Sequence, residues 1–410
     1  MVKKHVVLVA LLALLMSALA ACGGGGGGGG NANSANLTVW AMGAEGDNLK
    51  TLATSFTQQN PGIHINVQSI PWSDAHAKLL TAVAGKQTPD VAEMGTTWMA
   101  EFAKTGALDT PPSSISSSQF FSSAWSTVVS NGTAYGVPWY VDTRVLYYRT
   151  DIAQKAGITS PPKTWDELLA DARAMQQKGG AKYGISLQSN DWEEFLPLVW
   201  QDGGRVYNNG SFNFNSPQVV DALSFYQTFF KEGLTPTTEP PGFDVSQGFI
   251  QGTLPMFISG PWEMGLIKQN GGAAMDGKWA VAPVPGKMTN TSFIGGSDLV
   301  VFKNSPNRDA AWKFVQYLID PSVQARWYSI VGDLPAVQAA WNSGTLASDK
   351  NLQVFHTQLS NTQAPPTITN WEQIANVIDN DLQQTCLGKS SPQQAAQDMQ
   401  QKASSIGSGQ

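Results

Sequence analysis

From residue 37 onward the apolar positions switch between two periods. Leu37-Thr38-Val39-Trp40 predicts a short strand, and Leu49, Leu52 and Phe56 then stand at helical spacing until Asn60-Pro61-Gly62 stops the helix. Ile63, Ile65 and Val67 alternate with polar residues, which is a strand pattern. Ala75, Leu79, Leu80 and Val83 return to helical spacing, and Pro89 precedes a strand over Asp90 to Met94. This β-α-β-α-β order predicts a largely parallel sheet with right-handed crossovers. Sheets of that kind receive ligands beyond the carboxyl ends of their strands.

A second run of the same kind starts near Tyr147. Thr164-Trp165-Asp166-Glu167 is a capping box ahead of a helix whose buried stripe is Leu168, Ala172 and Met175, and Gly179-Gly180 ends it. Pro217 opens a helix carrying Val220, Leu223 and Phe230, and Pro306-Asn307 precedes another with Trp312, Val315 and Leu318 on one face. The pattern predicts two α/β lobes. No internal repeat is visible.

The first residues follow a different pattern. Lys3 and Lys4 precede the unbroken apolar run Val6 to Met16, too short for a span of about 20 residues, and small residues then lead to Cys22. This reads as an export signal rather than folded structure. Leu19-Ala20-Ala21-Cys22 resembles the bacterial lipobox, which implies a lipidated Cys22 as the new N-terminus on the outer face of the membrane. Gly23 to Gly30 and polar Asn31 to Asn36 suit a flexible tether for an anchored domain.

Roughly 390 residues remain beyond that segment, enough for two domains. The net charge of −6 is carried by only 14% charged residues, and its dispersed lysines argue against nucleic acid as a partner. Polarity rests mostly on Gln, Asn, Ser and Thr beside 14 tryptophans, a composition suited to neutral hydrogen-bonding ligands. Cys386 is the only cysteine besides Cys22, so no disulfide framework exists.

Five stretches, in order, carry a family resemblance. They are Leu37-Thr38-Val39-Trp40 with Glu45-Gly46; Thr88-Pro89-Asp90-Val91 leading to Gly106-Ala107-Leu108; and Tyr135-Gly136-Val137-Pro138 through Asp142-Thr143-Arg144 to Tyr147-Tyr148. Ile258-Ser259-Gly260-Pro261-Trp262 is the fourth, and Gly295-Gly296-Ser297 followed by a helix from Ala310 to Ile319 is the fifth. The chain resembles the extracellular solute-binding proteins of ABC-type sugar importers, the group of the maltose- and trehalose/maltose-binding proteins.

That resemblance implies a two-lobed periplasmic-binding-protein-like clamp of type II, with hinge crossings near Val141 to Arg144, Phe293 to Gly296 and Gly332 to Pro335. The first lobe would comprise 37–141 plus about 296–332, and the second about 145–292 plus 336–405. It also implies a monomer without cofactor that closes on a neutral di- or oligosaccharide and presents it to permease subunits.

A pyranose offers C–H patches on its faces and hydroxyls around its rim. Aromatic rings suit the faces, and carboxylates suit the rim because charge-assisted hydrogen bonds are about twice as strong as neutral ones. The resemblance places Glu45, in the loop after the first strand, and Thr97 and Trp98, after the third, at the cleft. Trp139-Tyr140-Val141-Asp142-Thr143-Arg144 puts aromatics, a carboxylate and a guanidinium at a crossing, with Tyr140, Asp142 and Arg144 as its contacts. Either Trp192 or Glu193 occupies the place of a stacking residue. Trp262 is the leading stacking candidate, presented by a tight Gly-Pro turn, with Glu263 behind it or in solvent. Gly296 and Ser297 would offer close backbone donors and a hydroxyl. Trp371 matches a late aromatic of the family.

The rival class is a secreted glycoside hydrolase or lyase, with paired carboxyls drawn from Asp142, Glu193 and Glu263. Other chemistries lack their residues. His5, His64, His76 and His356 form no metal-ligand pair, and Gly295-Gly296-Ser297-Asp298-Leu299 lacks the last glycine of a serine elbow. Gly388-Lys389-Ser390 lacks the upstream glycine of a phosphate loop.

Overall fold

The computed structural model describes residues 34–238 and 244–409. The export segment, Cys22 and all but the end of the glycine tether lie outside the described residues. Nine strands position the site: β1 (Ala35–Met42), β2 (Ile63–Ile70), β3 (Val91–Gly95), β4 (Val137–Thr143), β5 (Val145–Arg149), β6 (Met256–Ser259), β7 (Trp279–Ala282), β8 (Ser292–Val301) and β9 (Leu334–Pro335). β1 begins inside the expected tether and runs two residues past Trp40, because all eight of its residues pair with β2.

The larger sheet has the order β9-β4-β8-β3-β1-β2, with Thr362–Gln363 alongside the start of β8. β1 runs parallel to β2 and β3, as predicted, whereas β8 is antiparallel to both β3 and β4. Alternation along β1 decides which helix covers which face. Leu37, Val39 and Ala41 join Leu52 and Phe56 of the helix Lys50–Gln59, while Trp40 and Met42 join Ala75 and Leu79 of the helix Trp72–Gly85. β3 is buried throughout, so its Glu93 is carried into the interior with the apolar residues.

The second sheet departs from the expected parallel pattern. β5 lies between β6 and β7, antiparallel to both. Among the described residues six helices share the core of this region: Thr150–Ala156, Trp165–Gln177, Trp192–Gln201, Pro217–Lys231, Trp371–Cys386 and Pro392–Ile406. Thr164 and Glu167 form the capping box read from the sequence. Cys386 is buried there, and burial pushes its thiol up to about 12, the state of an inert packing residue.

Arg144 alone separates β4 from β5. The Thr143 hydroxyl donates to the Phe293 carbonyl at 2.6 Å, and the Ser292 hydroxyl donates to the Arg144 carbonyl at 2.8 Å. The chain therefore passes between the sheets twice at one place, each passage holding the other. Leu334 of β9 pairs with Val141 just before it. The helix Lys350–Leu359 packs on β4 and β8 of one sheet and on β5 and β7 of the other.

Candidate ligand-binding site

The passage at Arg144 organises the chemistry. Its guanidinium hydrogen-bonds the Glu193 carboxylate through Nη2, and Nη1 lies 3.2 Å from Asp142 Oδ2. The rings of Trp262 and Phe293 lie beneath it at 4.9 and 5.3 Å. Burial opposes a charge here, but Asp142, Glu193 and Asp191 outweigh it and hold the arginine above its ordinary pKa. Burial acts in reverse on Glu193, which is pushed up to about 7 despite Arg144.

Glu193 reaches this point because Asp191 caps its helix, accepting from the Glu193 and Glu194 amides at 2.7 and 3.3 Å. Trp262 reaches it through the turn Ser259-Gly260-Pro261 and starts the helix Trp262–Gly271. A Cβ on Gly260 would lie inside the indole, so the ring rests against bare backbone. Trp262 Nε1 donates to Glu263 Oε1 at 3.1 Å, and 46% of the residue remains exposed.

That exposed ring belongs to two cavities. The larger, about 640 Å³, runs from Glu45, Tyr140 and Asp142 across Trp262 to Asp333. The smaller, about 320 Å³, is bounded by Arg144, Gln188, Asp244, Ser259, Trp262 and Glu263. Among the described residues acids outnumber cations in both walls, beside apolar residues such as Met264, Leu266 and Val331 in the larger. Burial raises Glu45, partly offset by hydrogen bonds from Trp72 and Tyr140. Glu93 and Asp333 are held well above the carboxylate range by burial and by their proximity to Glu45. Met42 N donates to Glu93 Oε2 at 2.7 Å, and Trp327 Nε1 donates to Asp333 Oδ2 at 2.9 Å. Such protonated carboxyls can donate as well as accept hydrogen bonds. Among the described residues, no group of three or more His, Cys, Asp or Glu side chains could hold a metal ion.

The profile of the bacterial extracellular solute-binding proteins matches residues 40–325. The chain belongs to that family. A binding protein of Brucella abortus (strain 2308) is 30% identical over 372 residues, which span 88% of this chain and 90% of that one. The structure of the sugar-binding protein MalE from Xanthomonas citri aligns with a TM-score of 0.87 at 35% identity, covering 91% of this chain and 97% of the other. The diacetylchitobiose-binding protein DasA of Streptomyces coelicolor is 28% identical over 317 residues, 74% of this chain and 73% of its own. The fold of this solute-binding protein is the two-lobed type II clamp.

Within this member of the family the candidate residues separate into two groups. Glu45, Tyr140 and Asp142 line the larger cavity, Arg144 lines the smaller, and Trp262 lines both. Glu193 stands behind Arg144 as its ion-pair partner. Glu45 sits on the short helix Gly43–Asn48 rather than in a loop.

The other candidates are spent on packing. Trp371 is 1% exposed and meets Trp192 edge-on at 5.2 Å, while Trp192 also packs on Phe293 at 5.5 Å. Ser297 is fully buried, its hydroxyl donating to the Met94 carbonyl at 3.1 Å, because β8 lies between two strands there. Gly296, at φ +114°, is a packing glycine: the Tyr140 carbonyl and Val141 Cα fill the place of a side chain. Thr97 and Trp98 form a tight turn in which Trp98 packs on Trp72 and His76, and neither lines the two cavities. Glu263, left between two readings from the sequence, is buried with Trp262 and Ser259 on one of its oxygens.

Sequence reasoning missed Asp244 and Asp333, which line the cavities, and Glu93, which lines neither but is fully buried and raised by the charge of Glu45. A carboxylate inside the apolar run Val91 to Met94 was a usable signal for Glu93. Asp333 stood inside the third predicted crossing. Asp244 carries no mark beyond its capping role, accepting from the Ser246 amide at 2.8 Å.

Proposed function

We propose that this solute-binding protein is the capture component of an ABC-type sugar importer. It takes a di- or oligosaccharide between two lobes, closes by hinge rotation about the Arg144 passage, and delivers the ligand to permease subunits. The lobes are residues 37–141 with about 296–332, and about 145–292 with 336–405. Export with a lipid on Cys22 keeps the monomer at the outer membrane face.

One observation supports the ligand class above the others: a half-exposed indole shared by two cavities, with the acids Glu45, Asp142 and Asp333 in the wall of one and Asp244 and Glu263 in the wall of the other. Stacked sugar rings need such a platform, and their hydroxyls need such a rim. The names of MalE and DasA, which bind sugar and diacetylchitobiose respectively, support the same class. The hydrolase reading is disfavoured because Asp142 and Glu193 are both engaged by one arginine.

A thermal-shift screen against a sugar library tests the proposal, followed by calorimetry and a turnover assay on the hits. A binding sugar at 100 times its Kd adds about 2.7 kcal/mol of stability, a shift of several degrees. No shift across the library, or turnover of a hit, would refute it. Replacement of Cys22 by Ser is expected to move the protein from the membrane fraction to the soluble one.

A further inference from the structure

The smaller cavity is lined by more acids than a wholly neutral ligand requires. Asp191, Glu194, Asp244 and Glu263 line it, of which Glu194 keeps its proton up to about pH 8, and Arg144 is the one cation of its wall among the described residues. Arg144 is committed elsewhere, to Glu193 and Asp142. Two of the four acids are also satisfied within the fold. Glu194 accepts from the Gln188 amide at 3.1 Å and from the Tyr226 hydroxyl at 2.9 Å, and Asp191 caps the helix Trp192–Gln201.

Glu263 differs. It is 5% exposed, and its Oε1 takes both neighbouring donors, Trp262 Nε1 at 3.1 Å and Ser259 Oγ at 3.3 Å. Its Oε2 is buried with no hydrogen-bond partner among the described residues. A buried carboxylate oxygen without a partner is costly, and the cost is removed by a donor brought from outside the chain. Asp244 stands across the same cavity and, among the described residues, has one oxygen engaged, by the Ser246 amide. Burial first, then the charge of Asp244, raises Glu263 from its ordinary value, against the lowering effect of the Trp262 and Ser259 hydrogen bonds and of Arg144.

We propose that the smaller cavity seats a protonated amine carried by the sugar, hydrogen-bonded to Glu263 and drawn by the charges of Asp244 and Asp191. This rests on the sugar-capture reading and narrows it, since the preferred ligand bears an amine on the unit beyond Trp262. The ammonium supplies several donors and one positive charge, which matches an unpaired oxygen set in excess negative charge. A hydroxyl supplies one donor and leaves the charge excess in place.

Isothermal titration calorimetry on the mature chain at about pH 6, where a sugar amine is protonated, tests the assignment. The probes are cellobiose, the glucosamine dimer of the same linkage and its N-acetylated form, together with maltose and its 2-amino counterpart. The amine form is expected to bind at least about tenfold tighter than its hydroxyl partner, and N-acetylation is expected to remove that gain. Glu263→Gln is expected to bring the amine-to-hydroxyl ratio within about threefold of one. Asp244→Asn, which keeps the helix cap, is expected to lower the ratio part of the way.

Equal or weaker binding of the amine forms overturns the assignment, as does a ratio unchanged in both variants. So does the absence of binding in either series, and so does spermidine binding as tightly as the amino sugar. Neutral sugars bound without amine preference leave sugar capture standing. Failure of every sugar in the wider library ends both.

Discussion

The indole of Trp262 rests against the backbone of Gly260 so closely that a Cβ at residue 260 would lie inside the ring. The ring that divides the two cavities is thus set by a missing side chain two residues earlier. Gly260→Ala therefore acts on the site without touching it. Overpacking of this kind costs about 1–3 kcal/mol, and here the exposed ring can swing away to relieve it. We expect sugar affinity to fall roughly tenfold or more, with an unchanged far-ultraviolet spectrum and an altered tryptophan emission. Unaltered affinity in calorimetry would show that the ring position is not set this way.

Arg144 bonds Glu193, adjoins Asp142 and stacks on Trp262 and Phe293. Replacing it by Met leaves two partly buried carboxylates without a counter-charge, a loss of about 3–5 kcal/mol. Arg144→Lys restores the charge without the planar fork, so its stability is expected to fall between the two. The deficit of Arg144→Met is expected to shrink as pH falls through about 7, because Glu193, pushed up to about 7 even beside Arg144, takes up its proton in the folded variant before it does in the parent. Thermal melts of the three proteins at neutral and acidic pH give the comparison. A pH-independent deficit would mean that lost stacking, and not charge, is responsible.

Trp262 and Trp371 look alike as sequence candidates, and the structure gives them opposite duties. Trp371 is buried at the start of its helix against Trp192, whereas Trp262 is half exposed at the cavities. Trp371→Ala is expected to lose about 3–5 kcal/mol of stability, the usual result of emptying a large core position. Trp262→Ala is expected to change stability by less than about 1 kcal/mol and to weaken sugar binding sharply, as is Asp142→Ala. Denaturant titrations and calorimetry on the same samples separate the two effects. Near-wild-type affinity in both Trp262→Ala and Asp142→Ala would remove them from the site.

Of the first sheet only the parallel part from β1 to β3 was legible, because local pattern determines it, whereas the antiparallel β4, β8 and β9 were not foreseen. The alternation of Ile63, Ile65 and Val67 and the helical spacing of Leu49, Leu52 and Phe56 need no distant partner to be read. The Arg144 passage was placed by the family resemblance, which implied a crossing near Val141 to Arg144, and the carboxylate, guanidinium and aromatics there marked it as a site for chemistry. What escaped depends on long-range contacts. The antiparallel pairing of β5 with β6 and β7 joins residues about a hundred positions apart, which no local period encodes. Ser297 reads as an available hydroxyl until β8 is known to lie between two strands. Glu93 reads as strand filler until its surroundings show a second acid at Glu45.

Glu194 gives the fold a pH dependence whose sign follows from its environment. Burial first, then the charge of Asp191, pushes its carboxyl up to about 8, against an unperturbed value of 4.5. Below 4.5 both folded and unfolded chains hold the proton, so the group contributes no slope. Between 4.5 and about 8 the unfolded chain releases it while the folded chain keeps it, so stability falls as pH rises. One such group contributes at most about 1.4 kcal/mol per pH unit. In Glu194→Gln the side-chain oxygen can still accept from the Gln188 amide and the Tyr226 hydroxyl, the two bonds Glu194 makes. The variant is therefore expected to match the parent near pH 4 and to exceed it by about 1–4 kcal/mol near pH 8. Urea titrations at three pH values measure the two slopes. Parallel curves would mean that Glu194 is already ionised in the folded protein, and that the cavity it lines is more open to water than its burial implies.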